Sequence, residues 1–175
     1  MRKIEDRETV DHVLRTVKHE EIRVKREAIK TLGVIGGDNV LETLAECLAY
    51  PDVQVRAASL RAIGNIGTEK AKNTIMNDMS GKHFSNREFS EKKLYFSVLS
   101  TWNDEDMYDF MIRTLKKKSF WKRAHQNELR ACAAYALGLM GNMSAVSSLT
   151  KFQNERNQRV RACCCSALRR LENGT

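Results

Sequence analysis

Proline is nearly absent: Pro51 is the only one in 175 residues. With no Pro-rich or Ser-rich stretch there is no linker signature, so composition marks no internal domain boundary. Long apolar runs are missing too. None approaches the roughly 18 residues of a membrane-spanning helix. The start, Met1-Arg2-Lys3-Ile4-Glu5-Asp6-Arg7-Glu8, is charged where a secretory signal would be apolar. His12, His19, His83 and His125 are scattered without ligand spacing, and no Cys/His pair stands in metal register. A Gly-rich phosphate loop and a nucleophile elbow are both lacking. Cysteines are few and odd in number, five, with Cys163, Cys164 and Cys165 in a row. Neighbouring helical residues point about 100° apart, so these three cannot converge on one metal ion. Reduced thiols and a cytoplasmic location follow as expectations, with no metal, no cofactor and no catalytic residue.

What is there is a repeat. Val24-Lys25-Arg26-Glu27-Ala28-Ile29-Lys30-Thr31-Leu32-Gly33-Val34-Ile35-Gly36 returns as Val55-Arg56-Ala57-Ala58-Ser59-Leu60-Arg61-Ala62-Ile63-Gly64-Asn65-Ile66-Gly67, 31 residues on. Leu129 to Gly141 and Val160 to Leu168 are two further copies, again 31 apart. A period of this length marks a solenoid, in which each unit buries its apolar face by stacking on its neighbours. Val55, Ala58, Ser59, Ala62, Ile63 and Ile66 follow the i, i+3, i+4 spacing of a buried helical stripe. Small residues there admit a close neighbour. Gly36 and Gly67 are read as left-handed helix ends, and Asp52 as an N-cap. Val40, Leu41, Leu44, Ala45 and Leu48 form the apolar face of a second helix, so the unit is helix A, turn, helix B.

Val10, Val13 and Val17 lie 31 residues before Leu41, Leu44 and Leu48. Residues 6–19 are therefore a partial first repeat, a B helix alone, as expected of a segment cut from a longer protein or, alternatively, of an unusual N-terminal cap. Repeats at 20–50 and 53–79 follow. A degenerate one at 88–117 places Phe96, Leu99 and Trp102 at 67 residues from Ile29, Leu32 and Ile35. The series ends with 126–154 and a terminal helix at 157–172. Residues 1–175 read as a single domain, with two longer connections, Ser80 to Arg87 and Lys116 to His125.

The pattern Val-Arg-x-Ala-Ala-x-x-Ala-Leu-Gly-x-Ile-Gly resembles the HEAT repeat family in its short variant, the PBS-lyase HEAT-like repeats. Val55–Gly67 fits best. The last copy departs, with Arg169 and Glu172 where the glycines belong. Glu91 to Leu171, with Glu128-Leu129-Arg130 opening a helix, is also similar to the C-terminal HEAT segment of longer bacterial proteins. The resemblance implies an all-α, right-handed α-α superhelix of armadillo type with about five helical repeats. It is unspecific for function, since the family spans scaffolds, bilin-lyase subunits and nucleic-acid binders. HEAT-like DNA glycosylases use concave-surface aromatics, but Trp102 aligns with the core position Ile35, and no residue transfers as catalytic.

Two sets of residues stand out. Lys25, Arg56, Arg130 and Arg161 share the second motif position and, with Asp52, form a ladder that sets stacking register; a phosphate-binding stripe is the alternative. The second set is a basic segment. From 113 to 130, Arg113, Lys116, Lys117, Lys118, Lys122, Arg123 and Arg130 are opposed only by Glu128, which gives +6 of the chain's net +8. Phe120 and Trp121 lie inside it. Clustered cations attract anions, and an aromatic stacks on a base or fills a partner's pocket. Phe110, a large apolar residue at an expected exposed position, is a candidate anchor. These residues make a non-catalytic protein–protein interaction or scaffold module the leading expectation, with a protein partner and room for self-association through the open N-terminal repeat. Sequence-independent nucleic-acid binding through 113–130 is the alternative, and a bilin-lyase-like or other enzyme accessory subunit the third.

Overall fold

The computed structural model describes residues 2–119 and 123–173. Ten α-helices and no strand occur among the described residues. The first five are α1 (Arg2–Thr16), α2 (Ile22–Ile35), α3 (Leu41–Leu48), α4 (Val53–Ile66) and α5 (Glu69–Ser80). The others are α6 (Phe89–Leu99), α7 (Glu105–Lys116), α8 (Arg123–Met140), α9 (Val146–Thr150) and α10 (Gln158–Asn173). The chain divides into two compact units, residues 1–84 and 85–175. The division falls inside the longer connection at Ser80 to Arg87.

In the first unit, α4 shows how sequence becomes helix. Asp52 accepts from the backbone N–H groups of Gln54 and Val55, two donors that a helix start leaves open. Val55, Ala58, Ser59, Ala62 and Ile63 are all buried along one stripe. Ser59 is the polar member, and its hydroxyl donates to the carbonyl of Leu44. Gly67 then ends the helix at φ 68°, the left-handed region where a Cβ is strained. Helix α4 packs on α2, α3 and α5, and α2 on α1.

Gly36 departs from the expectation. Its φ is −79° and its ψ 174°, extended backbone rather than left-handed. What excludes a side chain there is space: a Cβ would lie 2.5 Å from the Leu32 carbonyl oxygen and 2.7 Å from Val40 Cγ2. In the degenerate repeat Asn103 takes the equivalent place and is left-handed, at φ 38°; asparagine is among the few side chains that tolerate this.

The second unit is organised around α8, which packs against α6, α7 and α10. A helix enclosed on several sides must be apolar or small nearly all round. Ala131, Cys132, Ala133, Ala134, Ala136, Leu137 and Gly138 satisfy that, and all are buried. Phe96 and Leu99 are fully enclosed, like Ile29 and Leu32 at the matching positions. Arg123, Ala124 and His125, read as part of the connection that follows Lys116, belong to α8.

The cysteines radiate as the helix period requires. Cys164 faces the core, while Cys163 and Cys165 are half-buried. Burial pushes the Cys164 thiol up to about 12, and it raises Cys132, Cys163 and Cys47 as well. The thiolate is the nucleophile, so brief iodoacetamide treatment of the native chain is expected to alkylate Cys165 first. Cys47, Cys132 and Cys164 should be modified only after denaturation. Peptide mass spectrometry checks this order, and equal labelling of all five in the native state would contradict the packing.

Candidate binding site

The ladder positions are built first, because they decide which cations remain for a partner. Lys25 Nζ donates to the carbonyl of Val17 at 2.6 Å. Arg56 Nη1 donates to those of Tyr50 and Pro51, at 2.8 and 2.7 Å. Arg130 Nε reaches Leu115 at 3.0 Å, and Arg161 Nη1 reaches Glu155 at 2.9 Å. Each cation thus closes carbonyls at or after the end of the preceding helix, where the helix dipole is negative. Lys92 belongs to the same set, donating to the carbonyl of Ser85 at 2.8 Å. It follows Lys25 by 67 residues, the offset already used for Phe96, so the register alone identifies it. Lys25, Lys92 and Arg130 are buried. A stripe of phosphate-binding cations needs exposed ones, so the geometry disfavours that alternative.

The basic segment is divided. Arg113, Lys116, Lys117, Lys118 and Arg123 are exposed. Arg130 is enclosed. Phe120, Trp121 and Lys122 lie outside the described residues. Phe110 is half-buried rather than free, its ring stacked on Phe96 with centroids 5.9 Å apart, which makes it in part a packing residue.

A second basic stretch went unread in the sequence. Residues 151–172 carry Lys151, Arg156, Arg159, Arg161, Arg169 and Arg170 against Glu155 and Glu172. Residues 85–175 therefore hold sixteen Lys and Arg against nine Asp and Glu, whereas residues 1–84 hold fourteen against thirteen. The two stretches meet in a cleft of about 670 Å³, where Lys118 and Arg123 come from the first and Arg156 from the second. Ser119, Asn127, Arg130, Glu155 and Asn157 complete its wall.

Glu155 is the cleft's one carboxylate among the described residues that line it, and it is already committed. Arg130 Nη2 donates to Glu155 Oε2 at 2.5 Å, and the backbone N–H of Arg156 donates to Oε1. The Arg130 guanidinium holds the Glu155 carboxyl below its ordinary value, so it is ionised at neutral pH. Arg130 and Glu155 neutralise each other, and Lys118, Arg123 and Arg156 supply the cleft's uncompensated charge. The two asparagines are oriented by the fold. Asn127 Oδ1 accepts from Arg130 Nη1, and Asn157 Oδ1 from the N–H of Val160. Both partners are donors only, so each amide must turn its oxygen inward and keep its NH₂ as a donor.

A second cleft, of about 500 Å³, shares Asn127 and Asn157 with the first and continues to Glu128 and Arg159. Glu128 and Arg159, the charged residues among those lining that lobe, pair with each other, so its wall is balanced, while buried Lys92 also donates to Glu128. In the other unit, Val13, Val24 and Ala28 line an apolar groove of about 410 Å³. No group of three or more His, Cys, Asp or Glu side chains suited to a metal ion occurs among the described residues. No helix among them is long and apolar enough to cross a membrane.

Comparison with known proteins agrees with this architecture. Residues 1–64 match the family model for HEAT repeats. No curated protein matches the sequence. Among solved structures, the complex of CpcE and CpcF of phycocyanin lyase from Nostoc sp. PCC7120 superposes with a TM-score of 0.57 at 15% identity. That match covers 94% of this chain, which spans 65% of the lyase chain's length. Human deoxyhypusine hydroxylase matches with a TM-score of 0.49 at 16% identity, over 96% of this chain and 75% of that one. The chain has the HEAT-like helical-solenoid fold, and its residues 1–64 match the family model for HEAT repeats.

Proposed function

We propose that this chain is a non-catalytic protein–protein interaction module, a cytosolic scaffold whose contact surface is the cationic cleft of residues 85–175. The observation that carries the reading is the meeting of Lys118, Arg123 and Arg156 around an Arg130–Glu155 pair that is internally satisfied. Charge left over after the fold's own needs have been met has no structural use, and it steers an oppositely charged partner to the site. An accessory role beside an enzyme falls within this reading, since it also requires a protein contact.

A photo-crosslinking amino acid in place of Lys116, which is exposed and beside the cleft, tests the reading. Irradiation in native extract is expected to give a discrete protein adduct. The adduct should survive nuclease and disappear in the Arg123→Glu/Arg156→Glu variant. An adduct that nuclease removes would favour nucleic acid, the reading that the sixteen-to-nine excess of cations also allows.

A further inference from the structure

We infer that the cleft lined by Lys118, Arg123, Asn127, Arg156 and Asn157 binds an acidic peptide segment, with Arg123 and Arg156 selecting carboxylates and the paired asparagines holding the chain. The inference rests on the proposed interaction role and names the partner's chemistry.

Donors decide the ligand class. Apart from the Ser119 hydroxyl, which can donate or accept, and the paired Glu155 carboxylate, the polar groups lining the cleft are donors: Lys118 Nζ, the guanidinium groups of Arg123 and Arg156, and the NH₂ groups of Asn127 and Asn157. Both asparagines are locked in that sense by obligate donors behind them. Helix α10 starts at the same place, and its dipole adds partial positive charge. A wall of donors takes a ligand rich in acceptors and negative in charge. Carboxylate side chains and backbone carbonyls both fit, and Arg binds carboxylates in a planar two-bond geometry.

Size and surroundings separate a peptide from a nucleic acid. The volume of about 670 Å³ is that of a small-ligand pocket and admits a few side chains. Ionised Glu155 stands in one lobe and Glu128 in the other. Two carboxylates along the path interrupt a phosphate track, which requires cations without opposing charge. A peptide tolerates them, because its acidic residues can sit on Arg123 and Arg156 while neutral ones cross the balanced lobe. The saddle between the lobes is Asn127 and Asn157, whose NH₂ groups suit backbone carbonyls of an extended chain.

Fluorescence anisotropy of the purified full chain tests this with three labelled probes of equal length: an alternating Glu/Gly peptide, the matching Gln/Gly peptide and a single-stranded oligonucleotide. The acidic peptide is expected to bind near physiological salt and the neutral one not to bind. Arg123→Gln/Arg156→Gln should weaken the acidic peptide at least about tenfold, as expected on losing two charge-assisted contacts. Lys151→Gln/Arg169→Gln removes the same charge from exposed positions away from the cleft, and should change affinity less than about twofold, as screened surface charges do. Equal losses in the two variants would overturn the inference, because binding would then follow net charge alone. Tighter binding of the oligonucleotide than of the acidic peptide would overturn it in favour of nucleic acid. Failure of the acidic peptide, with the Lys116 crosslink to a protein intact, would remove the acidic segment and leave the interaction role standing.

Discussion

Gly138→Ala is expected to destabilise the second unit, although helix propensity alone points the other way. Glycine inside a helix is about 0.5–1 kcal/mol worse than alanine, so a surface argument forecasts a gain. Packing reverses it. A Cβ on Gly138 would stand 2.7 Å from Ala167 Cα and 2.8 Å from Ala167 Cβ. The nearer atom is backbone, which cannot rotate away, so α8 and α10 must separate. Overpacking of this kind costs about 1–3 kcal/mol, and the separation also loosens Leu137, Cys164 and Leu171 in the buried layer. Gly138→Val, β-branched and larger, should cost more than Gly138→Ala. Urea unfolding provides the measurement, and hydrogen exchange in α8 and α10 gives the location. Adding Ala167→Gly should recover part of the loss, since it removes the more distant of the two clashing atoms. An unchanged or raised midpoint for Gly138→Ala would mean that the helix pair does not cross where Gly138 stands. Gly33 makes the same approach to Ala62, 2.6 Å to its Cα, so Gly33→Ala provides an independent repeat of the test.

That crossing was legible in the sequence as a register and hidden as a cause. Gly33 and Gly138 sit at one repeat position, as do Ala62 and Ala167, and a repeat of small residues announces close helices. Periodicity also located Ile29, Leu32, Phe96 and Leu99 in the core, because burial follows the helical period directly. Gly36 shows the limit. A glycine after a helix reads as a left-handed end, yet here the Leu32 carbonyl and the Val40 side chain leave no room for a Cβ, and that crowding depends on the path of the backbone rather than on residue type. The cleft shows a second limit. Lys118 and Arg123 stood out because neighbouring cations are conspicuous, but Arg156 is more than thirty residues away and reaches them only through stacking of consecutive units. Reading charge by repeat column rather than by window would have brought the two stretches together.

Arg130→Ala is expected to cost about 3 kcal/mol, whereas Arg161→Ala, at the same motif position one repeat later, should cost less than about 0.5 kcal/mol. The difference lies in what each removal leaves behind. Arg130 is 3% exposed and donates to the Leu115 carbonyl, to Asn127 and to Glu155, with its guanidinium 5.2 Å from the centre of the Phe152 ring. Truncation strands a carbonyl on fully buried Leu115 and an ionised carboxylate whose side chain is only 17% exposed. Loss of one partner from a buried pair costs about 3–5 kcal/mol, and the residual exposure of Glu155 places this case at the low end. Arg161 is exposed, so water replaces its single bond to the Glu155 carbonyl. Arg130→Lys should fall between, because a lysine keeps the charge but lacks the planar fork that reaches three acceptors. Acid titration supplies a second readout. Arg130 lowers the folded-state value of Glu155 below 4.5, so the contribution of this pair is fully present above that pH. It is lost as the pH falls through the depressed value. The gap in stability between wild type and Arg130→Ala should therefore narrow in acid. A gap that stays constant from neutral pH into acid would assign the loss to the Leu115 carbonyl and the Phe152 contact, and would remove Glu155 from the account of how consecutive repeats are held in register.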